Sequence, residues 1–233
     1  MANSSPQAAG SPAPVRPPAL RVARLAPEPD DYEMPRTVYV RLVKPCIDRL
    51  FGAVLALVLA PLTAIVAVAV RCSVGPGVIF KQRRVGLGGQ PFDVYKFRTM
   101  GHDRRRRQRP IADDRRRVHK SDEDPRHTVV GRFLRKWSLD ELPQLWNVLR
   151  GEMSLIGPRP ELVQVVERYE PWQHRRHAVK PGLTGLWQIS RRGDGMMYLH
   201  TDLDLEYVDS VGLRADLGIL LRTIPAMLSR RGD

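Results

Sequence analysis

Asp140 and Glu141 stand side by side in the stretch Ser138-Leu139-Asp140-Glu141-Leu142-Pro143. Arg132, Arg135 and Lys136 precede the pair, and Arg159 follows in Gly157-Pro158-Arg159-Pro160. Adjacent carboxylates among cations suit phosphoryl chemistry. One carboxylate can attack phosphorus or hold a hard cation, while the cations neutralise phosphate oxygens. The same residues also have a purely structural reading. Serine followed three positions later by glutamate is a capping box, and acids in a first turn complement the helix dipole. The two readings are compatible, because a carboxylate at a helix N-terminus is expected to stay ionised at neutral pH. Two prolines fix the backbone around Arg159 and hold its guanidinium for bidentate phosphate contact. An ion pair within the fold is the equal alternative for that arginine.

The elements that position this chemistry begin with a membrane-like segment. Leu50–Val70 is a 21-residue uncharged run with Pro61 at its middle. Its twelve Leu, Val, Ile and Phe residues favour insertion by roughly 4–7 kcal/mol. A proline in a helix interior costs about 3 kcal/mol, so insertion survives it. As a straight helix the run would be about 31 Å long, enough to span a bilayer core. Pro61 nevertheless predicts a sharp kink, and cations flank both ends: Arg41, Lys44 and Arg49 before, Arg71, Lys81, Arg83 and Arg84 after. Spanning and re-entrant arrangements are both compatible with this, and a buried core helix is the bland alternative.

Further along, Val78–Phe80 and Phe92–Arg98 read as a β-hairpin around Gly86-Leu87-Gly88-Gly89, a turn rather than a phosphate-cradling loop. Alternation puts Lys96 and Arg98 on one face of the second strand. Residues 101–126 form an arginine-rich loop with interleaved aspartates, which suits solvent or anionic headgroups. Helices are expected at Val129–Trp137, Leu139–Leu149, Glu161–Tyr169 and Leu213–Leu228, the last either core-facing or interfacial. Asp202-Leu203-Asp204 resembles an acidic D-x-D metal pattern, but no strand–glycine–helix unit accompanies it. His174 and His177 are a weak metal pair.

The chain has 233 residues, a net charge of +13 and two cysteines, Cys46 and Cys72. One domain with appendages, an anionic partner and a reducing compartment follow. Residues 1–36 are rich in Ala, Pro and Ser, lack the apolar core of a secretory signal, and read as a disordered tail.

Together these residues resemble the bacterial sugar transferases, the monotopic polyprenyl-phosphate hexose-1-phosphate transferases. The resemblance runs from about Val38 to Arg230. It rests on the proline-broken apolar segment, Tyr95-Lys96-Phe97-Arg98-Thr99-Met100, the long run Ser138–Pro160, and Lys180–Ser190. It implies an α+β, mainly helical fold: a re-entrant membrane helix–break–helix over residues 37–72, then a cytosolic catalytic domain over 73–233 with a β-hairpin and interfacial amphipathic helices. Pro61 becomes the membrane break, although Ala60 replaces the serine that many members carry there. It also implies a UDP-sugar donor with Mg²⁺, a polyprenyl phosphate acceptor in the lipid bilayer, and a place on the cytoplasmic face of the bacterial inner membrane. Asp140 would be the nucleophile that displaces UMP, and Glu141 the Mg²⁺ ligand. Lys96, Arg98, Arg135, Arg159 and Arg192 would bind phosphate. Members commonly read Ser-Gly-Arg where this chain has Ser190-Arg191-Arg192, so a bulky residue occupies a tight turn.

Two other classes make different predictions. A basic scaffold or nucleic-acid-binding protein would bind nucleic acid in a salt-sensitive way, yet no aromatics interleave with the arginines. An inverting glycosyltransferase using Asp202 and Asp204 would release UDP in place of UMP.

Overall fold

The structure is a computed structural model that describes residues 35, 37–101, 128–190 and 200–228. Almost all of the N-terminal tail, all but Gly101 of the arginine-rich loop, and Arg191 and Arg192 lie outside the described residues.

The apolar run folds as two helices. A π-helical turn at Tyr39–Val43 leads into α1 (Lys44–Val58), and α2 (Ala60–Val74) follows after Leu59 with a bend of 62°. Pro61 therefore lies in the first turn of α2, not in a helix interior. Its missing N–H needs no partner there, so the interior penalty expected from sequence does not apply. A hydroxyl does attend the break despite Ala60: Thr63 Oγ1 donates to the Leu59 carbonyl at 2.8 Å. Among the described residues no single helix is long and apolar enough to cross a membrane, whereas this bent pair passes that test together. Its outer face is bare, with Leu57 78% and Ile65 67% exposed.

Strands β1 (Ile79–Val85) and β2 (Pro91–Phe97) form the expected hairpin, with Ile79 opposite Phe97 and Val85 opposite Pro91. The first strand is longer than its apolar start, because Lys81, Arg83 and Arg84 continue it. A 3₁₀ turn at Leu87–Gly89 closes the hairpin. After α3 (Val129–Lys136), the expected single helix Leu139–Leu149 divides at Pro143 into a 3₁₀ turn, Leu139–Glu141, and α4 (Gln144–Leu149). Strand β3 (Ser154–Ile156) comes next. The stretch expected to be a helix from Glu161 instead starts as β4 (Glu161–Leu162), which joins β1, leaving only α5 (Val163–Val166) helical. A 3₁₀ helix at Pro171–Ala178, β5 (Gly182–Thr184), α6 (Leu186–Ser190), α7 (Thr201–Ser210) and α8 (Leu213–Leu228) complete the mainly helical α+β fold.

The bent pair is anchored to the rest of the chain. Val66 and Val70 of α2 pack with Phe97 and Leu134 in one apolar cluster. Asp48 of α1 accepts the Leu155 N–H at 3.0 Å, and Lys44 and Tyr39 both donate to Asp216 of α8, at 2.5 and 2.6 Å. One face of α8 stays uncovered: Leu213, Leu217, Leu221 and Ile224 are exposed, while Asp216 and Ile219 are buried.

Parallel pairing of β3 with β5 requires a close backbone crossing. A Cβ on Gly182 would lie 2.1 Å from the Gly157 nitrogen and 2.6 Å from the Thr184 oxygen. Both are backbone atoms that cannot swing aside, and overpacking of this kind typically costs about 1–3 kcal/mol or more. Gly182→Ala should therefore lower the melting temperature by several degrees in detergent, as read by circular dichroism. An unchanged melt would contradict the crossing.

Candidate active site

The local path of the chain explains where Asp140 and Glu141 point. Thr128 caps α3, its Oγ1 accepting the Gly131 N–H at 2.9 Å. Gly131 lets α3 lie against the end of β2, because a Cβ there would fall 1.9 Å from the Thr99 oxygen. At the other end, Ser138 adopts a left-handed conformation (φ 54°, ψ 20°), and its N–H reaches the Arg135 carbonyl at 3.1 Å. Ser138 thus closes α3 instead of opening the next helix, and the capping box expected from sequence does not form: its side chain makes no cap hydrogen bond. The reversal turns the Leu139–Glu141 turn back over β2.

Three elements meet at Glu141. Lys96 of β2 donates to its Oε1 at 2.8 Å. Arg159, between β3 and β4, forks onto it with Nη2 to Oε1 at 2.6 Å and Nη1 to Oε2 at 3.3 Å. Arg159 is thus held, in this state by an ion pair within the fold. Among the described residues Asp140 forms no hydrogen bond or ion pair. Arg135 also stands close enough for its charge to act on Asp140, with its Nε bonded to Thr99 Oγ1 at 2.9 Å.

These environments split the two carboxyls. Burial, then the Glu141 charge, push Asp140 up to about 6, against the pull of Lys96, Arg135 and Arg159. A carboxyl near 6 is still mostly ionised at neutral pH, but with a much narrower margin than an ordinary aspartate has. Burial also pushes Glu141 up, but Arg159 and Lys96 overcome it and hold that carboxyl well below its usual value. Lys96 is lowered by burial, partly offset by Glu141.

Among the described residues no group of three or more His, Cys, Asp or Glu gathers as a metal cage. Mg²⁺, however, is commonly held by one or two carboxylates together with substrate phosphates. Asp140 and Glu141 fit that pattern: Glu141 accepts three hydrogen bonds of the roughly four its oxygens can take. The like-charge pressure on Asp140 is relieved by an added cation.

Of the residues singled out from sequence, the structure brings together Asp140, Glu141, Lys96, Arg135 and Arg159. Arg98 lies at the open end of the hairpin, its guanidinium 3.2 Å from where a Cβ on Gly77 would stand. Arg192 lies outside the described residues. The D-x-D pair separates: Asp204 is buried with its Oδ2 2.6 Å from Arg176 Nη2, and Asp202 is exposed. His174 and His177 are buried beside Tyr169 rather than presented to a metal. Sequence reasoning missed Asn147, which accepts the Tyr95 N–H at 3.1 Å and donates to the Asp93 carbonyl at 2.7 Å, bolting α4 to the strand that carries Lys96. Its position among apolar neighbours on α4 was the available signal.

A cationic, carboxylate-paired centre on a small α+β domain joined to an apolar bent helix pair has the makings of a phosphoryl-transfer site. The chain belongs to the bacterial sugar transferase family, whose pattern it matches over residues 39–230. It is 44% identical over 189 residues to the exopolysaccharide production protein ExoY of Sinorhizobium fredii, covering 78% of this chain and 84% of that protein. It is 39% identical over 209 residues to a UDP-glucose:undecaprenyl-phosphate glucose-1-phosphate transferase of Caulobacter vibrioides, covering 84% and 73%. A UDP-galactose-lipid carrier transferase of Erwinia amylovora is 42% identical over 169 residues, covering 68% of this chain and 35% of that protein.

Proposed function

We propose that the protein transfers a hexose 1-phosphate from a UDP-sugar to a polyprenyl phosphate, through a phosphosugar carried on Asp140. The observation that carries this reading is the division within the carboxylate pair: Glu141 is tied to two cations by three hydrogen bonds, whereas among the described residues Asp140 forms none beside them. An ionised Asp140 oxygen attacks the sugar-proximal phosphorus, the bond to the bridging oxygen breaks, and UMP departs. An oxygen of polyprenyl phosphate then attacks the same phosphorus, the bond to Asp140 breaks, and the carboxylate is regenerated. One phosphoanhydride replaces another, so catalysis is chiefly positioning and charge neutralisation.

Lys96, Arg135 and Arg159 neutralise the diphosphate, and Arg98 and Arg192 are assigned as further phosphate-binding residues. Mg²⁺, held by Glu141, would offset further negative charge on the transferred phosphoryl group. The bent α1–α2 pair is assigned as a re-entrant anchor in the bacterial inner membrane, with the site on the cytoplasmic face. Its 62° bend, its bare apolar surface and the cations at both ends support that assignment. Two of the relatives are named for UDP-glucose and UDP-galactose, so those two sugars head the candidate panel, and a third is named for exopolysaccharide production, which supports a place in that kind of glycan assembly.

The test incubates detergent-purified protein with Mg²⁺ and UDP-sugars labelled at the β-phosphate, without lipid acceptor. Label retained on denatured wild type but not on Asp140→Asn, with UMP released, is expected. Turnover with polyprenyl phosphate but no retained label would reject the covalent step and favour direct transfer.

A further inference from the structure

The Gly157-Pro158-Arg159-Pro160 segment has few ways to be held. Pro158 and Pro160 have no N–H, so the backbone on either side of Arg159 can be fixed only through its carbonyls. All three consecutive carbonyls are used. Pro158 accepts the Gly182 N–H at 2.9 Å, Arg159 accepts Arg176 Nη2 at 2.7 Å, and Pro160 accepts Arg84 Nη1 at 3.1 Å. Only the middle one belongs to the residue whose guanidinium reaches Glu141.

Arg176 makes that contact from inside the fold. It is 3% exposed and so is shielded from solvent. Its Nη1 donates to the Tyr169 hydroxyl at 2.5 Å, and its Nη2 faces both the Arg159 carbonyl and Asp204 Oδ2, the latter at 2.6 Å. A buried guanidinium without a counter-ion would be strongly unfavourable, and Asp204 supplies that charge from α7. The 3₁₀ helix that carries Arg176 is itself fixed by a complete capping box between Glu170 and Gln173. Charged donors to a carbonyl contribute more than neutral ones, so this contact is the firmest restraint on the Arg159 backbone.

We infer that Arg176, charge-paired with Asp204, is a positioning residue that sets where the Arg159 guanidinium stands against the carboxylate pair and the donor phosphates. Asp204, the second acid of the D-x-D triplet, serves as the counter-ion of that positioner and not as a metal ligand. The inference rests on the reading of Arg159 as a phosphate-binding residue.

A double-mutant cycle on the full-length, detergent-purified chain tests it. The paired change Arg176→Met with Asp204→Leu removes both charges together, which buried pairs often tolerate. Turnover and the KM for the UDP-sugar are measured with Arg159 present and in an Arg159→Ala background. With Arg159 present, kcat/KM is expected to fall about 10- to 100-fold, the scale of a misplacement near 1 Å. In the Arg159→Ala background the same paired change is expected to cost less than about twofold, because there is nothing left to position. Equal losses in both backgrounds would show a merely structural role and overturn the inference. So would an unchanged kcat/KM with Arg159 present. If Arg159→Ala alone leaves kcat/KM intact, the assignment of Arg159 fails, and this inference with it, while label capture on Asp140 still tests the transferase reading separately. Should the paired variant not fold, Arg176→Lys keeps the charge opposite Asp204 while losing the forked reach. It is expected to show the same dependence on Arg159.

Discussion

With asparagine in place of Asp140, sugar-phosphate transfer should fall by about 10³-fold or more, while the protein melts at a higher temperature at pH 7.5. The activity loss follows from removing the carboxylate oxygen proposed to attack the donor phosphorus. The gain in stability follows from the environment of that oxygen. Burial and the neighbouring Glu141 charge raise the Asp140 carboxyl from 3.8 to about 6. An unfolded chain releases this proton near pH 4, so between about pH 4 and 6 the folded state binds more protons than the unfolded one. Stability from this group therefore declines as pH rises through that window, and above it the buried carboxylate is a standing penalty. Asparagine removes the penalty, so the difference in melting temperature should shrink as pH is lowered from 6 towards 4. The same titration sets the acid limb of wild-type turnover, which should fall as pH drops through about 6, because only the carboxylate attacks. A variant that melts no higher than wild type at pH 7.5 would contradict the strained environment. One that still turns over at a tenth of the wild-type rate would remove Asp140 from the chemistry.

Much of this arrangement was legible from residue types because the informative stretches are local. The hairpin announces itself through alternation around four turn residues, and the carboxylate pair through its cationic neighbours. The local roles of Ser138 and Pro61 at their helix boundaries were not legible, for a common reason. Each residue type has two local roles, and packing selects between them. Ser138 can open a helix or, in a left-handed conformation, close one; α3, seated on Thr99 through Gly131, ends where closure is required. Pro61 can kink a helix or begin one; with the chain already turning at Leu59, it begins one. The Glu161–Tyr169 stretch failed differently, because Glu161 and Leu162 pair with β1, a partner about 75 residues away that no local periodicity reveals. Arg176 was hidden for another reason. An arginine in a histidine-rich polar segment carries no mark of burial, and its aspartate partner looked like half of a metal motif.

Glu141→Gln should act in the opposite sense on stability. Glutamine keeps the shape but removes the charge on which Lys96 and Arg159 converge, leaving two largely buried cations facing a neutral amide. Breaking one side of such a network typically costs about 3–5 kcal/mol, and partial exposure places this case at the low end, about 3 kcal/mol by denaturant unfolding at pH 7. Despite burial, Arg159 and Lys96 hold the Glu141 carboxyl well below its usual range. That stability is present above about pH 4.5 and is lost as pH falls through the depressed value, so the variant's stability should depend less on acid than wild type's. Asp140 loses its repulsive neighbour and keeps its cations, so its carboxyl should drop below about 6. Any residual turnover would then show an acid limb shifted to lower pH. Two adjacent acids, each replaced by its own amide, are thus expected to move stability in opposite directions. A capping box would predict loss at both positions, since each would surrender a favourable contact with the helix end. Opposite signs at pH 7.5 would mark a pair in which one carboxylate is held in place so that the other can be left free to react; equal signs would return the pair to an ordinary structural role.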